Sequence, residues 1–247
     1  MNKYIKFSTL TLSIFISLTL IDISRSAQLS EEKITLNDLY QFNQISSIDV
    51  SHSAKQIAYS VSSVDEKKDR YRNDVWLLDV NENKEKIILK GNPSVGKTKF
   101  SPDDKLLGYL APGRGKYSEY QQIWTISTKY SSKRQLTKLK ANINDFEWSP
   151  DGAQMILVVE SKANDKKIKK TDIQTPKPIV IDRYYFKEDG KEFLGDERQH
   201  LHLLDIKSRT TKQLTKGNSN EILPSWSPDS KKIAYVTKTG EMDRTDN

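Results

Sequence analysis

The sequence predicts an all-β fold, a partial β-propeller of about three and a half four-stranded blades. Three observations carry this: a recurring Ser-Pro-Asp-Gly turn, a second pair of strands after each turn, and a shared spacing of the two. The turn occurs as Phe100-Ser101-Pro102-Asp103-Asp104, Trp148-Ser149-Pro150-Asp151-Gly152 and Trp226-Ser227-Pro228-Asp229-Ser230, with a worn copy at Val50-Ser51-His52-Ser53-Ala54. In the intact copies an aromatic residue closes one strand. Pro fixes φ at the second turn position, Asp tolerates the third, and Gly relieves the fourth. Runs rich in β-branched and aromatic residues follow at 57–61, 106–110, 155–159 and 233–237, so each turn joins two strands into a hairpin.

The second strand pairs are 74–80 with 86–89, 122–126 with 134–137, and 200–206 with 212–215. Ser51 and Ser101 stand 50 residues apart, Ser101 and Ser149 48, and Trp76 and Trp124 also 48. Ser149 to Ser227 and Gln135 to Gln213 are both 78. Two markers lengthen together, which places an insertion of about 30 residues, over 161–198, between the second and third strands of one unit. Four-stranded units at this period read as propeller blades, each burying its two faces against its neighbours; a β-sandwich with accidental turn similarity is the alternative.

The blades fall near 45–92, 93–140, 141–218 and 219–247, the last of them partial, so residues 45–247 form an incomplete propeller. An open propeller leaves unpaired strand edges, so the count predicts a fragment, a truncated product or one part of a split protein, which folds poorly by itself. Ahead of the blades, 28–44 is a helical lead-in in which Thr35-Leu36-Asn37-Asp38 resembles a capping box opening a short helix through Gln41.

At the N-terminus Lys3 and Lys6 precede an uncharged apolar run over 7–21, and Ser24-Arg25-Ser26-Ala27 supplies small residues at alternate positions. This is the pattern of a signal peptide, 1–26, and predicts a periplasmic or secreted protein with no membrane attachment after cleavage; an uncleaved anchor is the alternative, although the apolar run is short for a span. The formal charge of +7 in 247 residues becomes +5 when 1–26 is removed. The composition is 35% hydrophobic, 30% charged and 9% aromatic, which suits a globular chain and argues against disorder. With no cysteine, the fold relies on its apolar core alone. The lysines are scattered apart from Lys166, Lys167, Lys169 and Lys170 in a polar stretch, so no basic stripe suggests nucleic acid as a partner.

Ser-Pro-Asp-Gly repeats behind a signal peptide resemble two groups, the periplasmic propeller of the Tol envelope system and the propeller of the prolyl oligopeptidase family of serine peptidases. The insertion segment Pro178-Ile179-Val180-Ile181-Asp182-Arg183-Tyr184-Tyr185-Phe186-Lys187-Glu188-Asp189-Gly190, the strands that follow it, and the opening Ile34-Thr35-Leu36-Asn37-Asp38-Leu39 are similar to the acylaminoacyl-peptidase-like branch of the second group. That resemblance implies a propeller that caps an α/β-hydrolase domain and admits short peptides to a serine nucleophile. The chain contains no Gly-x-Ser-x-Gly nucleophile elbow, so no catalytic residue carries over. The expectation is a substrate-gating propeller portion, inactive alone, whose peptide substrates meet a hydrolase domain that this chain lacks. A Tol-like protein-binding module is the alternative, and a non-functional remnant a third.

Four motifs carry residue types capable of chemistry. Gly91-Asn92-Pro93-Ser94-Val95-Gly96-Lys97-Thr98 matches a phosphate-binding loop, but Lys99-Phe100-Ser101-Pro102 after it predicts a strand and a turn where a helix is required. His200 and His202 share one face of a strand, but His202 occupies the slot of Trp76 and Trp124 and no third metal ligand is evident. His52 stands where the other turns have Pro and reads as a surface turn residue. Asp182, Arg183, Tyr184 and Tyr185 form the densest polar-aromatic group and are the candidate contact with substrate or with another domain; packing of a hairpin on its own blade is the alternative. No cofactor, metal or catalytic residue is expected within the chain.

Overall fold

The computed structural model describes residues 34–92, 95–161, 186–189, 192–193 and 197–238. The chain divides into two compact units, Met1–Gln41 and Phe42–Asn247. The described part of the first unit is a single helical turn, α1 (Leu36–Leu39). The Thr35 amide and hydroxyl both donate to the Asp38 carboxylate, at 2.6 and 2.9 Å. These bonds hold the Asp38 pKa below its usual value. The helix stops at Leu39, two residues short of the expected end, because one turn gains too few hydrogen bonds to propagate.

The second unit is almost wholly β. Its sheets are β1 (Gln44–Val50), β2 (Gln56–Asp65), β3 (Arg70–Asp79) and β4 (Lys84–Asn92); β5 (Thr98–Phe100), β6 (Leu106–Pro112), β7 (Gln121–Ser127) and β8 (Lys133–Gln135); then β9 (Ile143–Trp148) and β10 (Gln154–Ser161). A small hairpin, β11 (Lys187–Glu188) with β12 (Glu192–Phe193), lies in the long connection after β10. Strands β13 (Arg198–Asp205) and β14 (Thr211–Gln213) complete the third sheet, and β15 (Glu221–Trp226) pairs with β16 (Ile233–Thr237) in the fourth. Each four-stranded sheet is antiparallel and ordered along the chain. This is a sector of a β-propeller, three blades and the first hairpin of another.

Every blade repeats one register. Tyr59 lies opposite Trp76, Tyr109 opposite Trp124 and Leu157 opposite His202. The two aromatic pairs stack, with centroids 6.3 and 6.4 Å apart. Each sheet therefore has an incoming face toward the preceding blade and an outgoing face toward the next. Ala58, Val75 and Leu77 on the outgoing face of the first sheet pack with Phe100, Leu107, Tyr109, Trp124 and Ile126 on the incoming face of the second. Leu110 and Ile123 meet Phe146, Trp148, Met155, Leu157 and Leu204 in the same way, and Ile156, Val158 and Leu201 meet Trp226 and Ile233.

The turns explain their own sequence. Their fourth residue has left-handed φ in all four copies: 56° at Ala54, 58° at Asp104, 70° at Gly152 and 59° at Ser230. Only Gly152 meets this without steric cost. Ala54→Gly is expected to stabilise the chain by up to about 1 kcal/mol, read as a raised melting midpoint. At each intact turn the serine hydroxyl donates to the aspartate, Ser101 to Asp103 at 2.7 Å, Ser149 to Asp151 at 2.6 Å and Ser227 to Asp229 at 2.6 Å. These bonds lower the three aspartate pKa values.

Candidate functional site

The first strand of each sheet is an edge strand, and these edges lie side by side: β1 contacts β5, and β9 contacts β15. Side-chain bonds tie β5 to β9. The Trp148 indole N–H donates to the Lys99 carbonyl at 3.2 Å, and Trp226 repeats the bond to the Glu147 carbonyl at 3.4 Å, one blade on. Phe100, in the same slot, has no such donor. There the Asp49 carboxylate accepts from the Phe100 amide at 2.7 Å and from the Lys99 ammonium at 3.1 Å. The four edges form an inner wall.

That wall carries the densest set of charges bridging blades in the described residues. The Lys97 ammonium donates to Asp145 and to Glu147, both at 2.7 Å, and stands 5.9 Å from the centroid of the Phe146 ring. Burial disfavours its charge, but the two carboxylate bonds more than offset that, so the Lys97 pKa is raised. Burial likewise pushes the Tyr109 hydroxyl up to about 12. Both groups hold their protons more tightly when folded than when unfolded. Their contribution is therefore complete below pH about 10 and is lost as pH rises through their folded values. Melting temperature is expected to fall steeply above pH about 10, and less so in Tyr109→Phe.

Two clefts open on the turn side of the wall, on either flank of Trp148. One, of about 280 Å³, is lined by Asp49, His52, Lys99, Glu147 and Trp148. The other, of about 320 Å³, is lined by Pro102, Asp103, Leu106, Trp148, Asp151 and Ile206. Their polar groups are largely bound to one another already, and no serine or threonine hydroxyl in them is held by a histidine. The arrangement can make polar contacts with a passing chain but has no nucleophile and base to act on it.

The candidate group Asp182, Arg183, Tyr184 and Tyr185 lies outside the described residues, in the connection between β10 and β13. Of the phosphate-loop pattern, Gly91 and Asn92 end β4 and Thr98 begins β5. A strand stands where a phosphate would need a helix N-terminus, and the motif lysine, Lys97, is held by two carboxylates. His52 is an exposed turn residue. Because it is not proline it retains an N–H, which donates to Asp104 Oδ1 at 2.7 Å; Ser53 donates to Oδ2 at 2.9 Å, clamping the first two blades. His202 stands between Leu157 and Gln213, and burial lowers its pKa, with His200 adding to the effect. Among the described residues no group of three or more His, Asp or Glu is placed to hold a metal. None of their helices is long and apolar enough to cross a membrane.

Sequence reading missed a buried polar position in the third strand. Asp74, Gln122 and His200, two residues before Trp76, Trp124 and His202, are 6%, 0% and 5% exposed. Each fastens the connection to the next blade. Asp74 accepts from the Gly91 amide at 2.5 Å. Gln122 donates to the Leu139 and Ala141 carbonyls and accepts from Thr137 and the Leu139 amide. His200 Nδ1 lies 2.8 Å from Glu221 Oε2, which also accepts from Thr215. Thr137 and Thr215, which share the 78-residue offset, were the available signal.

These features define the class, a propeller sector with a polar inner wall and no catalytic set among its described residues. No protein-family model matches the chain. It is 24% identical over 213 residues to the uncharacterized peptidase YuxL of Bacillus subtilis, covering 85% of this chain and 32% of that protein. Its fold is similar to that of the acylaminoacyl peptidase of Pyrococcus horikoshii, at 19% identity and a TM-score of 0.58, over 75% of this chain and 27% of that one. It is also similar to TolB of Acinetobacter baumannii, at 20% identity and a TM-score of 0.51, over 81% and 39%. The chain has the fold of a propeller segment, similar to part of each of these proteins, and it spans about a third of the curated relative's length.

Proposed function

We propose that the chain is the substrate-admitting propeller portion of a secreted serine peptidase of the prolyl oligopeptidase type, and that it performs no hydrolysis itself. The likeness to a peptidase along 85% of the chain supports this most strongly, and the absence of a nucleophile elbow from the sequence agrees with it. The inner wall suits admission rather than capture. Its charges are already paired across the blades, so a short peptide finds polar contacts without a strong, retaining site. The hydrolase that would cleave the peptide is then supplied outside these 247 residues.

The likeness to TolB favours a second reading, a propeller that binds a protein partner. Incubated with fluorogenic peptides and a fluorophosphonate probe, the purified chain is expected to release no fluorophore and take no label. Labelling of the chain would overturn the assignment of catalysis to another domain.

A further inference from the structure

The first strands of the sheets form the inner wall, so the last strand of each four-stranded sheet is its outer edge. Cations that stand far apart in sequence meet there at the period of the blade. Lys86, Arg134 and Lys212 hold one register position, opposite Leu77, Thr125 and Leu203. Lys90, Lys138 and Lys216 recur at the same offsets of 48 and 78 residues. The segments 128–141 and 206–218, which make the outer edges of the second and third blades, hold five and four Lys or Arg, nine in all, and no Asp or Glu. All nine are exposed. None forms an ion pair with a described residue.

Charge on an outer strand also guards an open edge against pairing. The first blade shows what that guard needs: its outer strand carries Lys84, Glu85 and Lys86 in succession, mixed in sign. The second and third blades lack the acidic residues, in a chain that holds 40 basic and 33 acidic side chains. The second blade is packed against a neighbour on both faces, so the fold itself leaves its outer edge open, wherever the chain begins and ends. Neither cleft beside Trp148 reaches these residues. Their charges stand on long, flexible stems, which suits an extended anionic surface better than one small anion. Tyr130, in the turn between β7 and β8, is 74% exposed, and the Lys129 ammonium lies 5.1 Å from its ring centroid. An aromatic ring with a polar tip beside a cation is suited to a headgroup layer.

We propose that the outer edges of the second and third blades dock on a bilayer surface rich in anionic phospholipid headgroups. The attraction is between clustered Lys and Arg side chains and a negative surface. It is reversible, weakens as salt screens it, and needs no spanning helix. It adds a peripheral attachment that the order of residues in the sequence does not suggest, because folding is what gathers the cations.

The test is co-sedimentation of the full chain with vesicles of phosphatidylcholine alone and of phosphatidylcholine mixed with phosphatidylglycerol, at low and high salt. Lys133→Gln/Arg134→Gln/Lys212→Gln removes three charges from the docking edges. Lys55→Gln/Lys67→Gln/Arg70→Gln removes the same charge from exposed positions on the first blade. Residues 1–26 are common to all three proteins, so their own affinity for lipid cancels in the comparison. Each cation close to the surface contributes about fivefold to binding. The edge variant is therefore expected to bind the mixed vesicles about a hundredfold more weakly than the unmodified chain, and the first-blade variant to lose less than one cation's worth. Lys129→Gln/Lys138→Gln/Lys216→Gln repeats the test on the same edges if the first edge variant loses its β circular dichroism. Equal losses in the edge and first-blade variants, or no preference for phosphatidylglycerol, would overturn the proposal. Displacement from the vesicles by double-stranded DNA at equal phosphate concentration would also overturn it, in favour of a nucleic-acid surface. None of these results depends on the peptidase assignment, which the fluorophosphonate experiment tests separately.

Discussion

Phe146→Ala is expected to lower the unfolding free energy by about 4 kcal/mol, read from the denaturant midpoint. The ring is 0% exposed and lies in the seam between the second and third blades, among Leu110, Ile123, Met155 and Leu157. No neighbour can collapse into the space easily, because the seam is bounded by two sheets held by their own ladders. The opposite wall is Gly108, where an added Cβ would come within 3.0 Å of the Phe146 ring and 3.2 Å of the Trp148 indole nitrogen. Gly108→Ala should therefore destabilise the unmodified chain and be tolerated better in the Phe146→Ala background, a coupling that a double-mutant cycle measures. Additive effects would mean that the two residues do not share this seam.

Gln122→Leu is expected to cost about 3 kcal/mol, although it keeps much of the side-chain volume. The amide is completely buried. Its nitrogen donates to the carbonyls of Gln121, Leu139 and Ala141, and its oxygen accepts from the Thr137 hydroxyl and the Leu139 amide. An apolar replacement strands several of these groups away from water, and each buried orphan costs about 1–3 kcal/mol. The loss falls on the connection between the second and third blades, so faster hydrogen exchange is expected over 136–142. A change below about 0.5 kcal/mol, the scale of ordinary surface substitutions, would show that this link does not fasten the blades.

The blade pattern was legible because it rests on local chemistry repeated at one period. Trp76 and Trp124 announced a common slot, and His202 fell into it at the right offset, as the register with Leu157 confirms. The turns were legible for the same reason, down to the fourth position that Gly152 fills. What was not legible depends on pairs distant in sequence. The phosphate-loop pattern around Lys97 fails for want of a helix, but nothing near it in sequence announces its partners Asp145 and Glu147, 48 and 50 residues away. Gln122 looks like an ordinary strand residue and His200 invites only the metal-ligand reading, because their partners lie in the link to the next blade. The position of His52 marks it as a turn residue, but its role comes from a backbone N–H that its proline counterparts lack. The lead-in helix ended early because a capping pair marks where a helix begins and says little about its length.

The proposal that this chain is the propeller portion of a serine peptidase is tested most directly by reading the gene past the codon for Asn247. The account predicts further blades followed by a strand–turn–helix carrying Gly-x-Ser-x-Gly, in frame or across a single frameshift. Blades that close the propeller with no hydrolase after them, or unrelated sequence, would contradict it and make a protein-binding propeller the better account.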